Sequence, residues 1–445
     1  MTALGGEQAR EKSVATSELQ EAWAVLSPEE RLEGLRLFPH PEAEDFLMSL
    51  PARDQAELIL TTTSTERRFW MRLLPLDDAA DVIQAAPEEE REGLLALLDE
   101  SSHKEVAALL AYAEDDAGGL MNPHYARLRP EMSVDEAITY LRRQARERLE
   151  TIYYVYVLDP EQRLLGVVSF RELFFAPPTK TVRDIMHTDV VTAHEEMDQE
   201  ALSRLFQDHN FLAIPVLDDA RHVKGIVTVD DIVDVVQEEA TEDIQKFGGM
   251  EALEAPYLEI GFATMVRKRA GWLSALFIGE MLTATAMGRF ESEIARAVVL
   301  ALFVPLIISS GGNSGSQAST LVVRALALGE VRLRDWWRVV RRELAAGLWL
   351  GSILAIIGFA RILLWQRLFQ TYGDHYLLIA CTVSSSLIGV VTWGTLAGSM
   401  LPLFLRRLGF DPASASAPFV ATLVDVSGIV IYFTMASLIL GGTLL

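Results

Sequence analysis

PFVATLVDVSGIVIYF, residues 418–433, is an apolar run holding a single carboxylate, Asp425. From about Ser414 to Leu440 the chain is long and apolar enough to cross a bilayer, which takes roughly 20 such residues. An ionised Asp near the middle of a span costs about 2.5–3.5 kcal/mol even on the most lenient scale. So costly a residue argues for a role.

The 445 residues fall into two halves of different character. Residues 1–255 carry 24 Lys and Arg against 52 Asp and Glu, whereas residues 256–445 carry 15 against 10 and hold most of the long apolar runs. An acidic water-facing part therefore precedes a membrane part. The excess of acid argues against nucleic acid as a partner, because no basic footprint exists. The single cysteine, Cys381, rules out a disulfide framework and fits a reducing cytosol. The first twenty residues lack the apolar core of a secretory signal, so the amino-terminal half is expected to stay in the cytoplasm.

Leu26, Leu50, Leu74 and Leu98 recur at a spacing of 24, and LPARDQAELI, LPLDDAADVI and LDESSHKEVA read as one repeated unit. Glu33, Glu57, Asp81 and Glu105 keep the same phase. A helical period of that length predicts stacked helix pairs, a short superhelix. After AEDDAGGLMNP (113–123) the pattern changes. YYVYVLD (153–159), LLGVVSF (164–170) and FLAIPVLD (211–218) are short, β-branched or aromatic strands alternating with helical stretches. LLGVVSFREL matches VKGIVTVDDI, with Gly166 and Gly225 in register, and Met121 corresponds to Met186. This doubled β-α-β-β-α unit resembles a pair of cystathionine-β-synthase (CBS) repeats. The resemblance puts Thr228 and Asp231 where adenosine-binding copies hold phosphate and ribose, with Glu172 at the Asp position of the first copy. It leaves open whether the pair binds a nucleotide or serves structurally.

From Gly271 onward five apolar spans follow, at about 271–288, 296–322, 344–365, 376–403 and 414–441. Eleven Lys and Arg flank them on the side of Arg267 and only four on the other, so the positive-inside rule puts the first group, and the soluble half, in the cytoplasm. Five spans leave the C-terminus outside.

The second span carries Pro305 and SSGGNSGSQAS (309–319), and the fifth has Pro418 and Gly428 around Asp425. Small residues serve close helix packing. With an Asp nearby, the favoured reading is broken helices that expose carbonyls to a watery path. One carboxylate, carbonyls and the Asn313 and Gln317 amides are hard oxygen ligands, which suit Mg²⁺ or Ca²⁺ over copper or zinc. Mg²⁺ dehydrates reluctantly, so a sparse site that holds the ion through its waters suits it. Glu280 is a second acid within a span, either a packing residue or part of the path. In the cytosolic part, VDDIVDVVQEEATEDI (229–244) concentrates seven acids in like-charged spacing, a switch that bound cations would close.

This order of parts, with PLIISSGGNSGSQ and ATLVDVSG in the spans, resembles the MgtE family of magnesium channels. The implied fold is a multidomain membrane protein: an α-helical superhelix (1–120), a tandem α/β CBS pair (121–240), a connecting helix (241–269) and a five-helix all-α transmembrane domain (270–445). The resemblance implies a homodimer in the plasma (inner) membrane with one pore between protomers, carrying Mg²⁺ inward and closed by cytosolic Mg²⁺. Asp425 matches the pore aspartate, Ala421 and Gly428 nearby backbone, and Gly311, Gly312 and Asn313 the polar break. Glu57, Asp198, Glu200, Asp231, Asp234, Glu239, Glu242 and Asp243 fall where regulatory metal ligands lie, and Asp411 where an acid helps hold the closed state. ATP is a candidate ligand at Thr228 and Asp231. Ser316 stands where a second Asn is expected, Ala417 where Asn can occur, and Asn210 where an acid can sit. A CBS-bearing membrane receptor that senses a cation or nucleotide without transport is the alternative. The sequence offers no nucleophile–base pair, Walker loop or zinc motif, so no enzyme is expected.

Overall fold

The computed structural model describes residues 18–443 apart from 146–148, 254, 256 and 259. It divides into two compact units, Met1–Gln237 and Glu238–Leu445.

The first unit opens with helices α1 (Pro28–Arg36), α2 (His40–Met48), α3 (Ala52–Thr61), α4 (Ser64–Leu73), α5 (Leu76–Ala85), α6 (Glu88–Leu95) and α7 (Glu100–Leu109). Helix starts are set locally. Ser27 with Glu30 and Thr63 with Glu66 form reciprocal capping boxes, and Pro51, Pro75 and Pro87 stand at the entries of α3, α5 and α6. The 24-residue period appears as stacking of α1, α3, α5 and α7. Leu50, Leu74 and Leu98 are buried at its corners, and Leu58, Val82 and Val106 inside it.

The CBS section holds two three-stranded sheets, β1 (Arg127–Leu128), β2 (Tyr154–Leu158) and β3 (Leu164–Ser169), then β4 (Ala193–His194), β5 (Ala213–Leu217) and β6 (Val223–Thr228). The outer pair is parallel and the inner antiparallel in both, and both ladders shift register one residue past their glycine, Val157↔Gly166 and Val216↔Gly225. Each copy's opening segment pairs with the other copy's sheet: Asn122 exchanges hydrogen bonds with Ile226, and His187 with Val167. That crossing requires the glycines. A Cβ on Gly166 would lie 2.6 Å from the His187 carbonyl, and one on Gly225 2.7 Å from that of Asn122. Helices α8 (Val134–Gln144), α9 (Phe170–Phe175), α10 (Val182–Ile185) and α11 (Gln199–His209) complete the copies. One apolar core runs from Ile59 and Val82 through Leu202 to Val227, joining superhelix and second CBS copy.

Helix α12 (Val229–Phe247) leaves β6 and crosses into the second unit. There α13 (Phe262–Arg289), α14 (Glu291–Arg296), α15 (Val304–Ala327), α16 (Trp336–Phe369), α17 (Tyr376–Arg407) and α18 (Ala417–Leu440) follow. Five helices, Phe262–Arg289, Val298–Ala327, Leu333–Phe369, Tyr376–Arg407 and Ala417–Leu440, are long and apolar enough to cross a membrane. The 241–269 stretch is not one connecting helix: α12 ends at Phe247, a turn follows at Gly248 and Gly249, and α13 begins at Phe262. Pro256, a second residue in this stretch that disfavours continuous helix, lies outside the described residues.

The expected breaks at the glycine cluster and around Asp425 are absent; the second span changes only near Pro305, where a 3-10 stretch, Val298–Phe303, gives way to α15. Helix α15 runs unbroken through Gly311–Ser319, and α18 through Asp425 and Gly428. The glycines serve helix contact instead, since lipid gives no hydrophobic drive and close backbone approach must supply the attraction. A Cβ on Gly394 would lie 2.3 Å from the Gly311 carbonyl oxygen, and one on Gly398 2.0 Å from that of Gly315. Replacing Gly398 with Leu should therefore force α15 and α17 apart at a cost of about 3 kcal/mol or more. The expected readout is loss of the monodisperse peak in detergent size-exclusion chromatography and a lowered melting temperature.

Candidate functional site

In the second unit, α18 places Asp425 half-exposed against α15. Gly312 marks the point of contact: a Cβ there would lie 3.5 Å from Ala421 and 3.7 Å from Asp425 Oδ1, ordinary van der Waals distances. The structure thus brings Asp425, Ala421 and Gly312 together. Asn313 is next along α15, on an exposed face that also carries Ser309, Gln317 and Thr320. Gly311 and Gly428 face elsewhere. Cβ atoms on them would lie 2.5 and 3.2 Å from Val390 of α17, which makes both packing positions. Ser316 and Ser319 fasten the base of α18, donating to the carbonyls of Ala417 at 3.2 Å and Ala415 at 2.9 Å. Hydrocarbon solvates neither an exposed amide row nor a carboxylate, so this face needs water or a second chain.

The segment leading into α18 and the start of α13 meet the turn after α12. Lys246 Nζ donates to Asp411 Oδ2 at 2.8 Å and also pairs with Glu242 one turn back. Burial alone would lower the Lys246 pKa, but these two carboxylates raise it above the ordinary value. Asp411 Oδ1 accepts from Ala413 N at 2.8 Å, which fixes its orientation. Gly249, at φ +75°, turns against Trp272 and Pro418, and Trp272 Nε1 donates to Ser416 Oγ at 3.3 Å. The α12 acids are therefore not a purely repulsive run, since Lys246 answers Glu242. Glu239 and Asp243 lie on α12 beside them.

The first unit contains a cluster that the sequence reading only partly captured. Asp77, Asp78 and Asp81 of α5 face Asp230, Asp231 and Asp234 of α12, with Glu150 beside them. Asn122 is buried at the centre, donating Nδ2 to Asp77 Oδ1 at 3.0 Å and to Glu150 Oε2 at 2.8 Å. Burial first, and neighbouring carboxylates second, push Asp77 and Asp231 up to about 7, Asp78 to about 6 and Glu150 to about 8. Asp81 is raised well above the carboxylate range for the same reasons. The charges acting most strongly on Asp78, Asp81 and Glu150 are all other carboxylates. Among the described residues no three His, Cys, Asp or Glu side chains converge closely enough to hold a metal ion. What the cluster offers a divalent cation is hard oxygen donors and uncompensated charge.

The remaining predicted ligands are placed differently. Glu57 occupies the same repeat position as Asp81 but is paired with the buried Arg31 at 2.7 Å. Asp198 caps α11 by accepting from Glu200 N at 2.9 Å, and the Glu200 side chain pairs with Arg204. Asn210, in left-handed conformation, ends that helix. Thr228 Oγ1 donates to Asp231 Oδ2 at 2.7 Å, and Ser169 and Glu172 repeat that pair in the first copy. The repeat alignment pointed to the missed cluster: Arg53, Asp54 and Glu57 of one unit become Asp77, Asp78 and Asp81 of the next, and the cation is lost.

Comparison with known proteins fits this division. A family model described as a divalent cation transporter, MgtE, matches residues 304–435, an MgtE intracellular N domain matches 15–115, and CBS domains match 117–178 and 182–238. The chain is 40% identical over 432 residues to the magnesium transporter MgtE of Thermus thermophilus, covering 96% of this chain and 94% of that protein. It is 35% identical to that of Enterococcus faecalis, covering 75% and 71%. A crystal structure of the cytosolic domain of the Mg²⁺ channel MgtE in complex with ATP is 39% identical, covering 52% of this chain and 96% of that one, with a TM-score of 0.47.

The raised carboxylates set a pH dependence. Unfolded, such groups lose their protons near pH 4, whereas folded Asp77 and Asp231 keep theirs to about 7. Between those values the native state holds more protons, so stability falls as pH rises through that window and is fully present only below it. Without divalent cations, the first unfolding transition of the full chain should drop by about 5–10 °C from pH 5 to pH 7.5. Millimolar Mg²⁺ should abolish most of that drop, and differential scanning fluorimetry reads both.

Proposed function

The chain belongs to the MgtE family of magnesium transporters, and we propose that it is a channel admitting Mg²⁺ to the cytoplasm down its electrochemical gradient, closed by Mg²⁺ bound to its cytosolic carboxylates. It is a membrane protein of a transporter family, not an enzyme. The observation that carries the reading is Asp425, partly exposed against Gly312 of a helix whose exposed face carries Asn313 and Gln317.

That polar face lies on the outside of a single protomer, so a path along it needs a second wall. A homodimer with the two-fold axis along this face supplies it and turns one aspartate into two. A hydrated Mg²⁺ would be held through its waters by the two Asp425 carboxylates, with Gly312 and Ala421 leaving room for the shell. The basic flanks argue for soluble parts and N-terminus in the cytoplasm, the C-terminus outside, and insertion in the plasma (inner) membrane.

Gating follows from α12. Its first turns carry Asp230, Asp231 and Asp234 in the buried carboxylate cluster, and Lys246, about 18 Å further along, holds Asp411. Cations that neutralise the cluster hold this end of α12 in place and keep the Lys246 contact under the base of α18. When cytosolic Mg²⁺ falls, repulsion among the carboxylates frees the helix. Asp77, Asp78, Asp81 and Glu150 join Asp231 and Asp234 in that sensor, and Glu239, Glu242, Asp243, Asp198 and Glu200 are further regulatory ligands. Glu57, neutralised by Arg31, is the weakest candidate. ATP, reported in complex with a relative's cytosolic domain, is proposed to bind here beside Thr228 and Asp231.

Purified protein in liposomes with a trapped Mg²⁺ indicator tests the channel. Wild type should pass Mg²⁺ when the cytosolic face sees little of it, and Asp425→Ala should not; equal flux through both would sink the reading. Asp411→Asn removes the carboxylate that ties Lys246 to the base of α18 and leaves its pair with Glu242. It should raise residual flux at inhibitory cytosolic Mg²⁺ about fivefold, the effect of roughly 1 kcal/mol, without changing flux at low Mg²⁺.

A further inference from the structure

Glu280 lies within α13, exposed on the single chain among the exposed Phe277, Ile278, Met281 and Leu282. Facing hydrocarbon it would cost about 2.5–3.5 kcal/mol or more. Its surroundings are fixed by how α13 lies on α18. A Cβ on Gly279 would lie 3.0 Å from Thr422, and the Phe290 and Phe433 rings stack at 5.1 Å. Both contacts share an offset of 143 residues, so the helices run parallel without slipping. In that register Asp425 is level with Leu282, about 3 Å along the axis from Glu280. Gly279 and Thr283 mark the face that α13 turns to α18, and Glu280 sits at its rim, near enough for its charge to act on Asp425.

A second observation points to a polar occupant there. Thr283 is the buried residue of α13, and its hydroxyl has no hydrogen-bond partner. A helical Thr in an apolar span normally donates to the carbonyl four residues back, as Thr285 does to Met281. Thr283 lies one turn beyond Glu280 and one level past Asp425. A buried hydroxyl left unmet costs about 1–3 kcal/mol, so it needs a water or an ion's hydration shell.

We propose that Glu280 is a second carboxylate of the ion path, holding the water shell of a divalent cation beside Asp425, with the Thr283 hydroxyl as a further oxygen ligand. The inference rests on the channel reading. The cation position is then lined from α13 as well as from α15 and α18. In a two-fold dimer four carboxylates, not two, surround the ion. That density of charge favours a hydrated divalent cation over a monovalent one through Coulomb attraction alone.

The test is Mg²⁺ uptake into liposomes by the full chain across a range of outside Mg²⁺. Glu280→Gln should raise the half-saturating concentration about tenfold, and Thr283→Val about threefold. Both should keep wild-type closure by cytosolic Mg²⁺. A wild-type concentration curve in Glu280→Gln, with Asp425→Ala inactive, overturns this proposal and leaves the channel standing. Uptake by Asp425→Ala removes the channel reading itself. Should Glu280→Gln not insert, Glu280→Cys in a Cys381→Ser background gives an independent answer. A charged, water-soluble thiosulfonate should label it in liposomes, and Mg²⁺ should slow the labelling. No labelling there, with a cytosolic-loop control labelled, places the side chain in lipid and overturns the proposal.

Discussion

A polar group inside a bilayer must be met by protein, water or ion, because hydrocarbon offers it nothing. The second unit is organised by that constraint. The backbone of α15 and α18 satisfies itself along helices unbroken past Gly312 and Asp425, so polarity at that level comes from side chains and not from freed carbonyls. The glycines of SSGGNSGSQ let α15 press on α17 at Gly311 and Gly315, on the side away from Asn313 and Gln317. Tight packing on one face of α15 fixes in space the polar face that packing does not use. Asp425 meets that helix at Gly312, with its carboxylate partly buried there.

The same constraint, milder in water, shapes the first unit. Two successive turns of the superhelix present acids at equivalent positions, and their neighbours decide what those acids become. Asp54 and Glu57 meet the buried Arg31, a closed account that holds the fold. Asp78 and Asp81 meet Asp231 and Asp230 instead. A buried negative cluster destabilises the native state unless protons or cations enter it, so its occupancy reports on the solution around it. Asn122 keeps the cluster from flying apart, since one amide bridges Asp77 and Glu150 while its backbone is paired with β6. The cluster is thus repulsive but anchored.

Most of the architecture was legible in the chain because it is written in short-range patterns. The 24-residue leucine period, the twin Gly166 and Gly225 strands and the five apolar runs each encode local geometry that tertiary contacts then confirm. The glycine cluster was misread as a break because composition does not distinguish a helix that must bend from one that must touch a neighbour. The contact with Gly394 and Gly398, some 80 residues away, decides it. Asp77, Asp78 and Glu150 escaped notice for a similar reason: an acid's burial depends on what packs over it, and α12 arrives from more than 150 residues downstream. Glu280 stood out as an oddity in a span, but only the register of α13 on α18 gives it an address.

The departures at Ser316 and Ala417 can now be weighed together, because they touch. Ser316 donates to the Ala417 carbonyl, and Ser319 does the same for Ala415, so the amino-terminal base of α18 is stitched to α15 by hydroxyls. Asparagines in these positions would place two longer amides where a hydroxyl now meets a backbone carbonyl. Both side chains here are short, which keeps the helices in contact one turn from Gly312 and Ala421 and two turns from Asp425. On the proposed channel reading the path then has no amide at either position, which puts more weight on the carboxylates at the level of Asp425.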